Sequence, residues 1–166
     1  MKLRMSAGLP RCSFGSVAAA ACCLMLSPPA GAADAAARDA LREHRLIWSA
    51  VAIDDYEYGY NKFCECHREA PPETLVTVRD GEVVGVRHRH ADTDTVVDAE
   101  QRNFEWYWTV EGLFDLVDTA LEREVEVRAD YDPALGYPTR VYIDYDPNLI
   151  GEELDVRLTR LERLEP

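Results

Sequence analysis

Two cysteines and a histidine lie almost side by side in one short stretch of the chain. Residues 61–71 read NKFCECHREAP, which places Cys64, Cys66 and His67 together. Thiolates and imidazoles bind zinc, and paired thiols form disulfides or redox couples. Which chemistry applies depends on the compartment, because disulfides persist only where the surroundings are oxidising.

The first residues of the chain have the pattern of a secretory signal peptide. Lys2, Arg4 and Arg11 precede an apolar run over residues 17–26, and three small residues follow at 30–32. A basic region, a short apolar region and an A-x-A-like site are typical of signals that are removed on export. The apolar run is too short for a membrane-spanning helix, which needs ~20 residues.

Export defines the expected boundaries of the mature protein. We expect cleavage after Ala32 or Ala33, with residues 1–32 as the signal peptide and 33–166 as a single domain without a transmembrane segment. The expected location is the periplasm or the extracellular medium. A lipid anchor at Cys22 is not expected, because the preceding residues AAA lack the usual leucine of a lipidation signal.

The charge of the chain restricts its partners. It has 31 acidic and 18 basic residues, a net charge of −13, and the predicted signal removes only bases. Nucleic acids and anionic lipids attract a positive surface, so neither is an expected partner. The composition is typical of a soluble exported protein.

Hydrophobic periodicity indicates two helices and two groups of strands. Residues 34–53 and 109–123 have apolar residues at helical spacing, with Asp34 and Thr109 as N-caps. Alternation predicts a strand over 54–66, and Asp80-Gly81 between two valine-rich runs predicts a type I′ hairpin. Three further alternating runs are 124–131, 139–146 and 153–161, whereas residues 91–103 are polar and predict a loop.

The resulting order is helix, three strands, helix, three strands. We therefore predict an α+β domain in which two helices pack on one face of an antiparallel sheet.

Several motifs together resemble the domain-of-unknown-function family 6174. They are the DYEY stretch, CEC, VTVRDGEVVGV, TVEGLFDLV and VEVRADYDPALGYPTRVYIDYD, which cover roughly residues 45–160. The family consists of small secreted or lipid-anchored bacterial domains. The resemblance implies the fold outline and secretion, but it implies no activity, substrate or catalytic residue.

Cys64 and Cys66 are the only cysteines of the predicted mature chain, because Cys12, Cys22 and Cys23 lie in the signal. In an oxidising compartment we expect them to form a local disulfide. A redox-active pair is the alternative, although a Cys-x-x-Cys at a helix N-terminus, where a thiolate is stabilised, is missing.

A metal site is a further alternative. His88 and His90 alternate on the second hairpin strand and Asp92 follows, so they could supply ligands. Arg87 and Arg89 alternate with these histidines and would repel a cation. No cofactor and no metal is therefore expected.

The aromatic segment FEWYW, residues 104–108, precedes the second helix. Trp106 and Trp108 either cover the core at the entrance of the helix or form an exposed patch for a protein or sugar partner. No serine nucleophile motif, phosphate-binding loop or His-Glu-x-x-His motif occurs. We therefore predict a non-enzymatic binding or accessory module of the cell envelope with an unidentified protein or envelope partner. The alternatives are a thiol-redox accessory protein and a periplasmic metal-binding protein.

Overall fold

A computed structural model describes residues 30–63, 73–90 and 95–165. Two helices, a short 3-10 helix and seven strands make up this part of the chain. All neighbouring strands are antiparallel, and their order in the sheet is β4-β3-β2-β1-β7-β6-β5. The elements are α1 Ala30–Val51, β1 Tyr56–Phe63, β2 Glu73–Arg79, β3 Glu82–His90, β4 Thr95–Asp98, the 3-10 helix Gln101–Trp106, α2 Val110–Glu122, β5 Glu126–Tyr131, β6 Pro138–Asp144 and β7 Leu154–Arg163.

The α+β class and the order of helices and strands are confirmed. The first group has four strands, however, because Thr95–Asp98 pairs with β3 in a segment for which we predicted a loop. The short run Thr-Val-Val has β-branched side chains that favour a strand. Its four residues are exposed, so alternating burial could not reveal it.

Helix α1 begins earlier and ends earlier than predicted. It spans Ala30–Val51, so Asp34 lies inside the helix and is not its N-cap. The reason is the alanine-rich start, because alanine has the highest helix propensity. The helix ends where Ala52 adopts a left-handed conformation with φ of 50°. Leu41 and Trp48, two turns apart, are the buried residues among the side chains of this helix that the structure describes.

The hairpin between β2 and β3 has the predicted turn. Asp80 and Gly81 have φ angles of 50° and 75°, and positive φ at both positions is what a type I′ turn requires. On β1, Tyr56, Tyr58 and Tyr60 are buried, as alternation on a strand with one buried face predicts.

Helix α2 begins with the predicted cap. The hydroxyl of Thr109 accepts a hydrogen bond from the backbone N–H of Gly112 at 3.1 Å, which satisfies one of the unpaired donors at a helix start. The helical spacing of apolar residues predicted for this segment is confirmed, because five residues at that spacing are buried, together with Val110. They are Leu113, Phe114, Val117, Ala120 and Leu121.

The two groups of strands meet at the centre of the sheet, where β1 pairs with β7. Buried side chains of α1, α2 and alternate strand residues form one hydrophobic cluster. The strand residues that alternate with these, on the other face of the sheet, are mostly polar. Among the described residues, no helix has the length and hydropathy needed to cross a bilayer.

Candidate functional site

Two cavities flank α2, and both have aromatic walls. The first, here called the outer groove, has a volume of about 300 Å³ and is lined by Trp108, Leu116, Tyr145 and polar residues of α2. The second, the inner cleft, is also about 300 Å³ and lies between the end of α1 and the first turns of α2. Asp115 lines both cavities, so they form neighbouring parts of one surface.

The position of Trp108 in the outer groove is fixed by buried tyrosines of β1. The hydroxyl of Tyr58 donates a hydrogen bond to the backbone carbonyl of Trp108. The hydroxyl of Tyr56 accepts one from the backbone N–H of Val110 at 2.9 Å. Strand β1 therefore holds the residues immediately before and after the helix cap. The ammonium of Lys62 lies 5.5 Å from the centre of the Trp108 ring, within the range of a cation–π contact.

The structure separates the two tryptophans that we predicted as a pair. Trp108 is half-buried in the groove, whereas Trp106 is 61% exposed and lies outside it. Residues two apart share a face only where side chains alternate as they do in a strand. The 3-10 helix that ends at Trp106 removes that alternation, because its repeat is three residues per turn.

A carboxylate organises the inner cleft. The indole Nε1–H of Trp48 donates to Oε1 of Glu111 at 2.7 Å, and the hydroxyl of Tyr56 donates to Oε2 at 3.3 Å. Burial of Tyr56, together with the charge of Glu111, raises the pKa of the Tyr56 hydroxyl, so Tyr56 remains a neutral donor. Glu111 also lies in the first turn of α2, where the helix dipole favours a negative charge.

One arginine already occupies part of the inner cleft. Nη2 of Arg45 lies 3.0 Å from Oδ1 of Asp115, and its guanidinium carbon is 5.4 Å from the centre of the Phe114 ring. Asp54 contributes a third carboxylate to the lining. Within the described part of the chain, no basic side chain forms an ion pair with Asp54 or Glu111.

The surroundings of both cavities are acidic. Helix α2 exposes four carboxylates and contains no basic residue. They are Glu111, Asp115, Asp118 and Glu122. The loop after β6, which contributes Tyr145 to the outer groove, also carries Asp146, Glu152 and Glu153. Burial and the charges of Asp146 and Asp144 raise the pKa of Glu152. Burial is the largest cause of this rise in the pKa, and the charges of the neighbouring carboxylates add to it.

The remaining predicted site residues are only partly described. Cys64, Cys66 and Asp92 lie outside the described residues, as does the side chain of His90, so the disulfide and the metal hypotheses remain predictions. Nδ1 of His88 lies 3.0 Å from the hydroxyl of Thr74. In the described ranges, no group of three or more His, Cys, Asp or Glu side chains is arranged to hold a metal.

Sequence reasoning missed three residues that shape the cavities: Glu111 as a hydrogen-bond acceptor, Asp115 and Tyr145. Helical periodicity placed Glu111 and Asp115 on the exposed side of α2 but could not show which side chains face them. Tyr145 belongs to a DYDP stretch that indicates only a turn. The arrangement offers aromatic faces and carboxylates, which together are suited to binding cations.

Comparison with known proteins identifies one family. The model of a family of unknown function, DUF6174, matches residues 40–163. No curated protein and no solved structure matches the chain.

Proposed function

The chain belongs to the DUF6174 family of unknown function, and from this premise we propose that it is an exported, non-enzymatic binding module whose outer groove holds a basic segment of a partner protein. Its expected place of action is the cell envelope or the surrounding medium, because the chain begins with the pattern of a secretory signal.

One observation carries the proposal: the outer groove combines aromatic walls with the acidic helix α2. Trp108 and Tyr145 face it from two different segments, and Leu116 adds an aliphatic surface. Tryptophan and tyrosine are the residues most enriched where binding energy is concentrated. Asp115 lines the groove, and α2 exposes three further carboxylates and no basic residue, so electrostatic complementarity favours a partner that carries lysine or arginine.

The charge of the protein argues for a protein partner over a nucleic acid. A net charge of −13 repels phosphate backbones, whose binding depends on neutralisation by basic side chains. Basic segments of exported proteins have the opposite charge and can lie along a groove in extended form. Arg123 lines the groove with Thr119 and limits the negative surface near the end of α2.

Selection from a displayed random-peptide library tests the proposal directly. We expect peptides that contain lysine or arginine beside an aromatic or aliphatic residue to be enriched on the wild-type protein. Trp108→Ala should weaken binding of a selected peptide by about tenfold or more, the loss typical of a central aromatic contact. Tyr145→Ala, which changes a more exposed residue, should also weaken it.

Trp106→Ala is the matched control, because it removes an exposed tryptophan outside the groove. It should leave the affinity nearly unchanged. Binding should also weaken as salt is added, since screening shortens the range of the carboxylate field. Enrichment of acidic peptides, or equal losses for Trp106→Ala and Trp108→Ala, would contradict the proposal.

A further inference from the structure

We infer that the inner cleft binds the guanidinium head of one arginine side chain of the partner. This inference rests on the proposed function, because the arginine belongs to the same basic segment that occupies the outer groove. Asp115 lines both cavities, so neighbouring residues of one extended segment can reach them together.

The cleft provides groups suited to a guanidinium on more than one side. Asp54, Glu111 and Asp115 supply exposed carboxylates, whereas the lining rings of Trp48 and Phe114 are almost fully buried. A guanidinium is planar and donates paired hydrogen bonds to carboxylates. A compact ammonium is a point charge without this planar fork of donors.

Arg45 shows how the cleft accommodates such a group. Its guanidinium pairs with Asp115 at 3.0 Å and lies over Phe114, yet it neutralises only one of the three carboxylates. Asp54 and Glu111 form no ion pair within the described part of the chain. A second guanidinium therefore finds uncompensated negative charge in the cleft.

Glu111 is oriented for this role before any ligand arrives. Its two carboxylate oxygens accept hydrogen bonds from Trp48 and Tyr56, which hold the side chain in one position. A carboxylate has about four lone-pair sites, so accepting these two bonds leaves capacity for a further donor. Pre-orientation reduces the entropy that binding would otherwise cost.

The volume of the cleft fits a side-chain head better than a large organic molecule. About 300 Å³ is the lower end of the ~300–1,000 Å³ range for small-molecule sites. The cleft is also open to solvent beside the outer groove, as docking of a side chain from a bound segment requires.

The three tryptophans of the chain make the test specific, because their indole N–H signals in a ¹⁵N–¹H spectrum report different places. Trp48 reports the inner cleft, Trp108 the outer groove and Trp106 the exposed surface. The probes are N-acetyl-arginine amide and its uncharged isostere N-acetyl-citrulline amide at equal ionic strength. We expect the arginine compound to shift the Trp48 signal saturably and the citrulline compound to leave it in place.

Asp54→Asn should weaken the affinity for the arginine compound about threefold to fivefold, the range expected for the loss of one partly exposed ion pair. Asp118→Asn, which neutralises an exposed acid of α2 outside both cavities, is the matched control and should have little effect. The inference fails if the Trp48 signal does not respond, if citrulline shifts it equally, or if both variants weaken binding alike. If a selected peptide shifts only the Trp108 signal, the result would support binding in the outer groove and reject binding of arginine in the inner cleft.

Discussion

At the scale of single residues, neighbouring tyrosines of β1 have different surroundings. The hydroxyl of Tyr58 donates to the carbonyl of Trp108. The hydroxyl of Tyr60 is buried and has no hydrogen-bond partner among the described residues. Both rings are almost fully buried, so their hydroxyls differ mainly in whether a partner satisfies them.

This contrast predicts opposite results for the same substitution. Tyr58→Phe should lower the free energy of unfolding by about 1–2 kcal/mol, because it leaves the buried carbonyl of Trp108 without a donor. Tyr60→Phe should be neutral or stabilising, because it removes a buried polar group that has no partner. Denaturant midpoints of the two variants and the wild type measure the difference. Equal losses would show that the Tyr60 hydroxyl is bonded in solution.

At the scale of secondary-structure elements, two glycines have positive φ in different surroundings. Gly81 is in the β2–β3 turn, where an added Cβ would meet nothing within 4 Å. Gly136 has φ of 83°, and a Cβ there would lie 2.5 Å from the carbonyl oxygen of His44 and 2.9 Å from the backbone nitrogen of Trp48. The turn between β5 and β6 therefore lies directly against α1.

Alanine at each glycine separates conformational strain from packing. Gly81→Ala should cost about 1–2 kcal/mol, the penalty for a left-handed conformation with a side chain. Gly136→Ala should cost about 1–3 kcal/mol more, because α1 must also shift to relieve the overlap. Thermal or denaturant unfolding of both variants gives the comparison. Similar losses in the free energy of unfolding for the two variants would mean that the β5–β6 turn and α1 separate easily.

Strands β6 and β7 are connected on the polar side of the sheet by one carboxylate. Arg140 and Arg157 are cross-strand neighbours, and like charges in that position are unfavourable. Asp155 accepts two hydrogen bonds from Arg140, at 3.0 and 2.9 Å, and two from Arg157, at 3.4 and 2.9 Å. Burial acts to raise the pKa of Asp155, but the hydrogen bonds and charges of both arginines outweigh it and lower that pKa.

This geometry predicts a pH-dependent effect of Asp155→Asn. A carboxyl whose pKa is lower when folded stabilises the fold above its unfolded pKa of ~3.9, and this stabilisation is lost as the pH falls through the folded pKa. At pH 7 the variant should be about 1–3 kcal/mol less stable. The difference in the free energy of unfolding between wild type and variant should become smaller below about pH 4. A difference that stays constant with pH would contradict the role of the Asp155 charge.

At the scale of the whole molecule, the predicted processing site falls within the first turn of α1. The helix begins at Ala30, and its side chains from Ala33 to Ala40 are exposed or half-buried, ahead of the buried Leu41. Cleavage after Ala32 or Ala33 would therefore leave the packed part of the helix intact. We expect protein recovered from the periplasm or medium to begin at Ala33 or Asp34. An intact mass that retains Met1, or that includes a lipid at Cys22, would contradict this.

The same preparation tests the predicted disulfide between Cys64 and Cys66. Under non-reducing conditions the mass should be lower than that of the reduced chain by two hydrogen atoms, and no free thiol should react. Replacing both cysteines by serine should cost only ~1–2 kcal/mol, because a very short loop gains little from cross-linking. Two free thiols would reject the disulfide, and bound zinc would favour the metal hypothesis.

Much of the local structure followed from the sequence alone. Four features depend only on residues a few positions apart in the sequence. They are the Thr109 cap, the buried face of α2, the Asp80-Gly81 turn and the inward tyrosines of β1. Propensity, capping and periodicity act over that distance, so a single sequence contains the necessary information. Strand β4 was missed because all its residues are exposed, so its sequence does not alternate between apolar and polar residues. The start of α1 was missed because alanine extends a helix without marking its first residue.

The tertiary structure alone decided which distant segments meet. The pairing of β1 with β7 joins the first and the last strand of the described chain, and no local pattern predicts it. Tyr145 reaches the groove of Trp108, and Trp48 of α1 reaches Glu111 of α2, only because the sheet and helices bury one common core. Burial is non-directional and acts on the whole chain. The sequence therefore determines which faces must be covered, and the packing of the complete domain determines which side chains line the two cavities.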